Sequence, residues 1–360
     1  MVWHRETKPH LFFTTTHNLV KTKLIIAQKT KLERYLLFLC RKLFEMRIVF
    51  LEPIELDYDT VNKACDSLRS QGHEVIVYKD KRPELNIERS QGADIIVETD
   101  MLLDKAYFNA VGGIKMLAIA VSGLDHVDLE ECKKRNIHVA NAAGYSTEAV
   151  AELAIGMMIE LYRHIRDNDQ VTRSCKAGAI LPGLELKGKT LGIIGLGAIG
   201  RRTAELAKAF GCNVIAWNRS PKQVEGVTNV DLHTLLHRSD IVSIHTALTD
   251  DTHHLISAKE LSLMKKSAII VNTSRGGVIK SDDLAKALKD GTIAGAALDV
   301  YDGEPPLFCG LPPINNDNTL LSAPNTLLLP HIGFGTSEAQ ILRLNITIEN
   351  IQKYINNITL

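Results

Sequence analysis

Several features that would point to particular classes of protein are missing from this sequence. Its 42 basic residues balance 42 acidic ones, so no surface for nucleic acid or for a membrane is indicated. No apolar run is long enough to span a membrane. The six cysteines lie far apart without a C-x-x-C motif, which favours free thiols in the reducing cytoplasm and no metal site. They are Cys40, Cys65, Cys132, Cys175, Cys212 and Cys309.

What is present is the composition of an ordinary globular chain. The 360 residues are enough for two domains, with 45% hydrophobic and 23% charged residues. Residues 1–45 stand apart, because they are basic, rich in threonine and without clear periodicity. We expect this segment to be an extension outside the functional fold, and the alternative is a targeting segment.

The most specific motif is the glycine-rich sequence TLGIIGLGAIG at residues 190–200. A short apolar run leads into it, and a helical pattern follows. Gly195 permits a tight turn, Gly197 lets a pyrophosphate approach the backbone, and Gly200 lets the helix pack on the strand. The N–H groups at the helix start can hold phosphates, although a glycine-rich turn without a ligand is the alternative. The predicted phosphate-binding residues are Gly195, Gly197, Ala198, Ile199 and Gly200.

Alternating strand-like and helix-like runs predict two α/β units with parallel sheets, of the Rossmann or flavodoxin-like type, and an active-site cleft between them. Residues 46–142 with 334–360 are the predicted substrate domain, and 143–333 the predicted nucleotide-binding domain. The helical pattern at 146–166 either bridges the domains or packs on a partner subunit. The predicted strands are 47–51, 74–78, 94–97, 116–120 and 138–140, then 191–194, 213–217, 241–245, 268–273, 293–299 and 326–329.

Three chemically useful side chains follow strands of the second unit. Ligands bind beyond the carboxyl ends of parallel strands, so Arg275, Glu304 and His331 should converge on the cofactor edge. A nicotinamide enzyme for a 2-oxo acid needs an arginine fork for the carboxylate, a histidine that gives a proton to the carbonyl oxygen, and a carboxylate that orients the imidazole. The three residues fit these roles. Each also has a purely structural alternative as a loop cap, a loop acid or a structural histidine.

Four stretches of the sequence resemble the D-isomer-specific 2-hydroxyacid dehydrogenases. They are Gly195–Gly200, NTSRGGVIKSDDLAKALKDGTIAGAALDVYDGEPP at 272–306, LLPHIGFGT at 328–336, and SGLDHVDLEECKKRNIHVANAAGYSTEAVAEL at 122–153. The resemblance covers nearly all of the chain from Met46 onward and none of residues 1–45.

The resemblance implies a role for each site residue. Arg275 binds and polarises the substrate, and His331, paired with Glu304, is the acid/base. Backbone N–H groups at Ser122 and Gly123 hold the substrate carboxylate. The residues expected to line the cofactor are Thr246, Thr273, Asp299 and Gly333, with Ser274 beside them. The resemblance also implies a homodimer.

The second strand of the nucleotide-binding unit bears on the choice of cofactor. NAD-binding units place an acid there, which accepts hydrogen bonds from the ribose hydroxyls and repels a 2′-phosphate. This chain has Asn218, Arg219 and Ser220 instead. The change favours NADP, with an enzyme that tolerates NAD as the alternative.

Some positions depart from the family pattern. Ala247 replaces a usual proline, Phe334 replaces a small residue, and 307–313 lengthens the loop before His331. We expect these changes to alter the pocket rather than remove activity. Glu304 stands where related formate dehydrogenases have glutamine, so a formate substrate is not expected.

The sequence thus predicts an NAD(P)H-dependent reductase of a small 2-oxo acid such as glyoxylate, hydroxypyruvate or pyruvate. Side chains around Glu98 to Leu102 are expected to choose among these acids. The alternative is a nicotinamide-sensing, corepressor-like binding protein of the same fold.

Overall fold

The computed structural model describes residues 45–174, 181–220, 222–302, 304 and 319–359. They form two parallel sheets, each covered by helices on both faces. The predicted fold class is therefore confirmed. Two features expected from the sequence, the extension before Met46 and the apparent insertion at 307–313, lie outside the described residues, apart from Glu45.

The first sheet has five strands in the order β2-β1-β3-β4-β5. After β1 the chain adds β2 on one side and then crosses to β3 on the other, which is the flavodoxin-like order. This order places a crevice where the loops after β1 and β3 diverge. The strands are β1 (Arg47–Phe50), β2 (Glu74–Val77), β3 (Ile95–Glu98), β4 (Met116–Ile119) and β5 (His138–Asn141).

Alternating residues of β1 bury opposite faces of this sheet, as the two-residue period of a strand requires. Ile48 and Phe50 belong to one core, whereas Val49 and Leu51 belong to the other. The C-terminal helix Ser337–Thr359 covers the Phe50 side. Its contribution to that core is Leu344, Ile348, Ile351 and Ile355, at the three- and four-residue spacing of one helix face.

The second sheet has seven parallel strands in the order β12-β11-β10-β9-β6-β7-β8, with the order reversing between β6 and β9. The strands are β6 (Thr190–Ile194), β7 (Asn213–Trp217), β8 (Val227–Asn229), β9 (Ile241–Ile244), β10 (Ile269–Asn272), β11 (Gly295–Leu298) and β12 (Thr326–Leu328). Each predicted strand has a counterpart within two residues at either end. The sequence missed β8, because a three-residue edge strand with one buried side chain has too little pattern to be recognised.

Helices fill the connections. They are Tyr58–Ala64, Asp66–Ser70, Asn86–Ser90, Lys105–Ala110, Leu129–Lys134, Thr147–Arg163, Ile165–Arg173, Ala198–Ala209, Leu232–Arg238, Ala258–Ser262, Ser281–Lys289 and Ser337–Thr359. Short 3₁₀ turns lie at Pro83–Leu85, Gly276–Val278 and Thr319–Ser322. Within the part of the chain that the structure describes, no helix combines the length and apolar character needed to cross a membrane.

The helix Thr147–Arg163 packs against the helix Ala198–Ala209 and the second sheet. Its small residues Ala151 and Ala154 are completely buried within this chain. They therefore identify a packing surface inside the second unit, and the homodimer stays a prediction.

Candidate active site

The glycine-rich turn has the geometry that a dinucleotide pyrophosphate requires. Gly195 adopts a φ of +100°, and a Cβ on Gly200 would lie 2.0 Å from the carbonyl oxygen of Gly195. A Cβ on Gly197, by contrast, would meet no atom within 4 Å, so its backbone faces open space. The helix Ala198–Ala209 begins there without a side-chain cap, which leaves N–H donors for an anion.

We expect Gly200→Ala to destabilise the protein and weaken cofactor binding, because the new methyl group overlaps the Gly195 carbonyl. Overpacking of this kind costs about 1–3 kcal/mol. Thermal unfolding with and without NADPH measures both effects. The control is Gly156→Ala, since a Cβ on this helical glycine meets nothing within 4 Å. It should stabilise the chain by about 0.5–1 kcal/mol. A Gly200→Ala protein with unchanged melting temperature and NADPH affinity would contradict the assignment.

The residues predicted to line the cofactor follow β9, β10, β11 and β12, so they share one edge of the second sheet. The Ser274 hydroxyl donates to the Thr246 carbonyl, which ties two of these loops together. His245, also on this edge, lies 2.9 Å from the Ser243 hydroxyl and 3.4 Å from that of Thr273. Burial lowers the pKa of His245 to about 4, which favours the neutral ring at physiological pH.

Asp299 fixes the segment that carries His331. Its two carboxylate oxygens accept hydrogen bonds from the backbone N–H groups of Ile332, at 2.7 Å, and Gly333, at 2.8 Å. Its carbonyl oxygen accepts one from the N–H of His331, at 2.9 Å. Burial raises the pKa of Asp299, opposed by these hydrogen bonds. The sequence assigned Asp299 to the cofactor and missed this positioning role, which depends on backbone geometry.

A cleft of about 460 Å³ lies between the loops of the two sheets. Its walls carry the arginine, the acid and the histidine that the sequence placed on one edge, and the Nδ1 atom of His331 lies 3.5 Å from Oε1 of Glu304. Predicted site residues on the walls are Ser122, Gly123, Ile199, Thr273, Arg275, Asp299, Glu304, His331 and Gly333. Those on the same edge but not on these walls are Gly195, Gly197, Ala198, Gly200, Asn218, Arg219, Ser220, Thr246 and Ser274.

Arg275 reaches across the cleft to the first unit. Its Nε and Nη2 atoms lie 3.1 and 3.0 Å from one carboxylate oxygen of Asp125, in the loop after β4. A Cβ on Gly123 would lie 2.3 Å from Nη2, so a larger residue there would displace the guanidinium from this position. The sequence missed Asp125 because no pattern in SGLDHVD shows which acid faces an arginine.

A second histidine–carboxylate pair lies on the first unit's side of the cleft. Nε2 of His126 is 3.0 Å from Oε1 of Glu98, and the Glu98 side chain is almost fully buried. Burial raises the pKa of Glu98. Burial of His126 disfavours its charged form, but the bond and charge of Glu98 outweigh that effect and raise the His126 pKa. Of the stretch expected to choose the acid, Thr99 and Asp100 line the cleft, whereas Leu102 is 66% exposed and does not.

Three further side chains line the cleft, namely Phe334, Glu55 and Arg343. The Phe334 ring packs edge-on against the His331 ring, with 5.9 Å between centroids. Glu55 and Arg343 were missed by sequence reasoning. The one available signal was a lone arginine within the apolar pattern of the last helix.

At the end of β7, Asn218 is turned toward the glycine-rich turn. Its side-chain oxygen accepts a hydrogen bond from the N–H of Leu196 at 2.7 Å, and its Nδ2 is buried without a hydrogen-bond partner in the described chain. Arg219 is 78% exposed and lies 3.1 Å from a carboxylate oxygen of Asp251. An exposed pair of this kind is weak.

The chain is similar to known proteins in sequence and in fold. The family model "D-isomer specific 2-hydroxyacid dehydrogenase, NAD binding domain" matches residues 155–333. Glyoxylate reductase of Thermococcus litoralis is 39% identical over an alignment of 285 residues, and the match covers 74% of this chain and 83% of that relative. Hydroxypyruvate reductase of Thermotoga maritima is 38% identical over an alignment of 267 residues, with 71% of this chain and 84% of the relative covered.

A solved structure extends the likeness to the whole fold. The acyclic imino acid reductase Bsp5, in complex with NADPH and D-Arg, superposes with a TM-score of 0.76 at 30% identity and covers 87% of this chain and 98% of that one. With the matched nucleotide-binding unit and the two relatives of similar length, the chain belongs to the D-isomer specific 2-hydroxyacid dehydrogenase family of oxidoreductases.

Proposed function

We propose that this protein reduces a small 2-oxo acid to the D-2-hydroxy acid, with NADPH as the preferred reductant and His331 as the acid/base. The observation that supports the proposal is the meeting of Arg275, Glu304 and His331 on one cleft wall, beside the Ser122–Gly123 backbone. The names of the relatives, glyoxylate reductase and hydroxypyruvate reductase, point to the same class of substrate. Residues 46–142 with 334–360 are the proposed substrate domain, and 143–333 the nucleotide-binding domain.

The fit of the cofactor rests on the glycine-rich turn, whose backbone is open at Gly197. When bound, the reduced nicotinamide supplies a hydride to the carbonyl carbon of the acid. The electron pair of the C=O bond moves onto the oxygen, which takes a proton from His331. Glu304 orients the imidazole and stabilises its charged form, and the Arg275 fork binds the substrate carboxylate together with backbone N–H groups of Ser122 and Gly123.

The preference for NADPH rests on Asn218. The Asn218 side chain is bonded through its oxygen to the Leu196 N–H and carries no negative charge, so this position lacks the acid that repels a ribose 2′-phosphate. We expect Asn218→Asp to lower the ratio of kcat/KM for NADPH to that for NADH by about 10-fold or more, because an acid repels the 2′-phosphate. Steady-state kinetics with both cofactors measure this ratio. Asn213→Asp, at the exposed start of β7, should leave it unchanged. An unaltered ratio in Asn218→Asp would remove the argument for NADPH.

The direct test is the loss of absorbance at 340 nm from NADPH and NADH with glyoxylate, hydroxypyruvate and pyruvate. Turnover of at least one acid is the expected result. Saturable cofactor binding without turnover of any acid would contradict a reductase and favour the nicotinamide-sensing binding protein. Light scattering on the same sample tests the proposed homodimer.

A further inference from the structure

An ion pair between the buried Arg343 and the partly exposed Glu55 lies on the cleft wall at the crevice of the first sheet. Glu55 belongs to the loop after β1, and Thr99 and Asp100 to the loop after β3, so these residues mark the point where the strand order reverses. In open parallel sheets this is the place where ligands bind. The first sheet therefore offers a second half of the site, opposite the cofactor edge of the second sheet.

Arg343 is the cationic part of this pair. Its side chain is only 1% exposed, although it lines the cleft, and its Nη2 atom donates to the Ile54 carbonyl and lies 3.2 Å from Oε2 of Glu55. Its Nε atom is buried without a hydrogen-bond partner among the described residues. Arg343 thus has one buried donor that lacks a partner in the described chain, in addition to its bonds to Ile54 and Glu55, and an unpaired buried donor of a charged group is costly.

The loop that carries Glu55 is held in a strained conformation. Ile54 and Glu55 have φ values of 45° and 59°, and two successive left-handed residues, one of them β-branched, persist only where the surroundings fix them. Arg343 fixes the Ile54 carbonyl, and Gln340 lies 3.3 Å from the Glu55 carboxylate. The carboxylate is thereby directed to the cleft, with 27% of its side chain exposed.

Aromatic side chains connect this pair to the proposed proton donor. The Arg343 guanidinium lies 5.7 Å from the ring centroid of Tyr145, and Tyr145 shares an apolar cluster with Phe334. Phe334 packs against His331. One continuous wall thus runs from His331 to Arg343, and Arg275, His331, Glu55 and Arg343 all line the same cleft.

We propose that Glu55 and Arg343 form a side-chain subsite that selects 2-oxo acids with a hydroxyl group on C3, the group of which hydroxypyruvate is the simplest member. This inference rests on the proposed function. A hydroxyl group donates to the Glu55 carboxylate and accepts from the Arg343 guanidinium, so it satisfies both partners. A methyl group satisfies neither. A carboxylate or phosphate at this position is repelled by Glu55, and a cationic group is repelled by Arg343.

The test is kcat/KM for hydroxypyruvate, pyruvate and oxaloacetate, which carry a hydroxyl, a hydrogen and a carboxylate on C3. The wild-type protein should prefer hydroxypyruvate to pyruvate by about 10-fold or more, the effect of one charge-assisted hydrogen bond. Glu55→Gln should lower this preference by about 10-fold and raise activity on oxaloacetate relative to pyruvate, because Arg343 loses its anionic partner. A structural defect should lower kcat/KM for all three acids together. A lower preference for hydroxypyruvate with a higher relative activity on oxaloacetate would instead indicate a change in substrate recognition.

Two further variants complete the experiment. Arg343→Lys keeps the buried charge but loses the planar fork, and it should raise KM for hydroxypyruvate more than for pyruvate. Glu338→Gln, an exposed acid in the first turn of the same helix, should leave the preferences as in the wild type. Pyruvate reduction with an unchanged hydroxypyruvate preference in Glu55→Gln would overturn the subsite alone. Absence of turnover with every acid in the wild-type protein would overturn the reductase itself.

Discussion

Replacement of His331 by asparagine is expected to lower kcat by about 100- to 10,000-fold, the usual contribution of a positioned acid/base. The asparagine amide cannot supply a proton to the carbonyl oxygen. It can, however, keep the backbone, because His331 has a φ of 54° and asparagine tolerates the left-handed region better than alanine does. The hydrogen bonds that Asp299 accepts from this segment come from backbone N–H groups, so they remain. Single-turnover absorbance at 340 nm measures the chemical step.

The chain supplies a close control for this variant. His254 also adopts a left-handed conformation, with a φ of 52°, and lies 3.4 Å from the Asp302 carboxylate. His254→Asn should therefore report any general cost of the substitution while kcat stays near the wild-type value. His126→Asn tests the rival histidine–carboxylate pair on the first unit. A larger loss of kcat in His126→Asn than in His331→Asn would transfer the acid/base role to His126.

The fold could be predicted from the sequence where local pattern and long-range structure agree. The run LGIIG reads as a buried strand because both faces of a parallel sheet are covered, and the glycines after it have few other uses. A Cβ at Gly195 or Gly200 would overlap backbone atoms, so the fold requires glycine at both positions and the sequence shows it directly. The edge strand β8 could not be predicted, because Val227 alone of its three residues is buried.

The site residues likewise fall into those that could be predicted from the sequence and those that could not. Arg275, Glu304 and His331 could be placed on one edge because each follows a strand, and parallel strands end together. Their partners across the cleft could not be placed. Asp125 comes from a loop of the first sheet and meets Arg275 only through the relative position of the two units. Arg343 meets Glu55 because the last helix packs on the first sheet. The sequence around Asp125 and around Arg343 contains no pattern that indicates these contacts.

Arg275 illustrates how the two units depend on each other. Its guanidinium follows β10 of the second sheet, while its ion-pair partner Asp125 follows β4 of the first. Both Nε and Nη2 contact one oxygen of this carboxylate, so the edge of the fork that suits a substrate carboxylate is occupied by Asp125. In our proposal a bound acid shares or replaces this contact, so substrate binding and the approach of the two units are coupled.

Replacement of Arg275 by lysine is expected to lower kcat/KM for every 2-oxo acid by about 100-fold or more, because an ammonium group keeps the charge but cannot bind a carboxylate through two parallel hydrogen bonds. Steady-state kinetics measure the loss, and fluorescence titration with NADPH should show cofactor affinity close to the wild-type value. Arg202→Lys is the matched control, because Arg202 is also 35% exposed and is paired with Glu148 at 2.7 Å.

Asp125→Asn separates the two possible uses of Arg275. If the guanidinium binds substrate, Arg275→Lys should lose far more kcat/KM than Asp125→Asn, since the second variant keeps the fork and removes only its intramolecular partner. If Arg275 serves only to join the two units through the ion pair, the two variants should lose equal amounts, because each removes one end of the same contact. Equal losses would therefore sink the role of Arg275 in binding the acid, whereas a loss confined to Arg275→Lys assigns the fork to the substrate carboxylate.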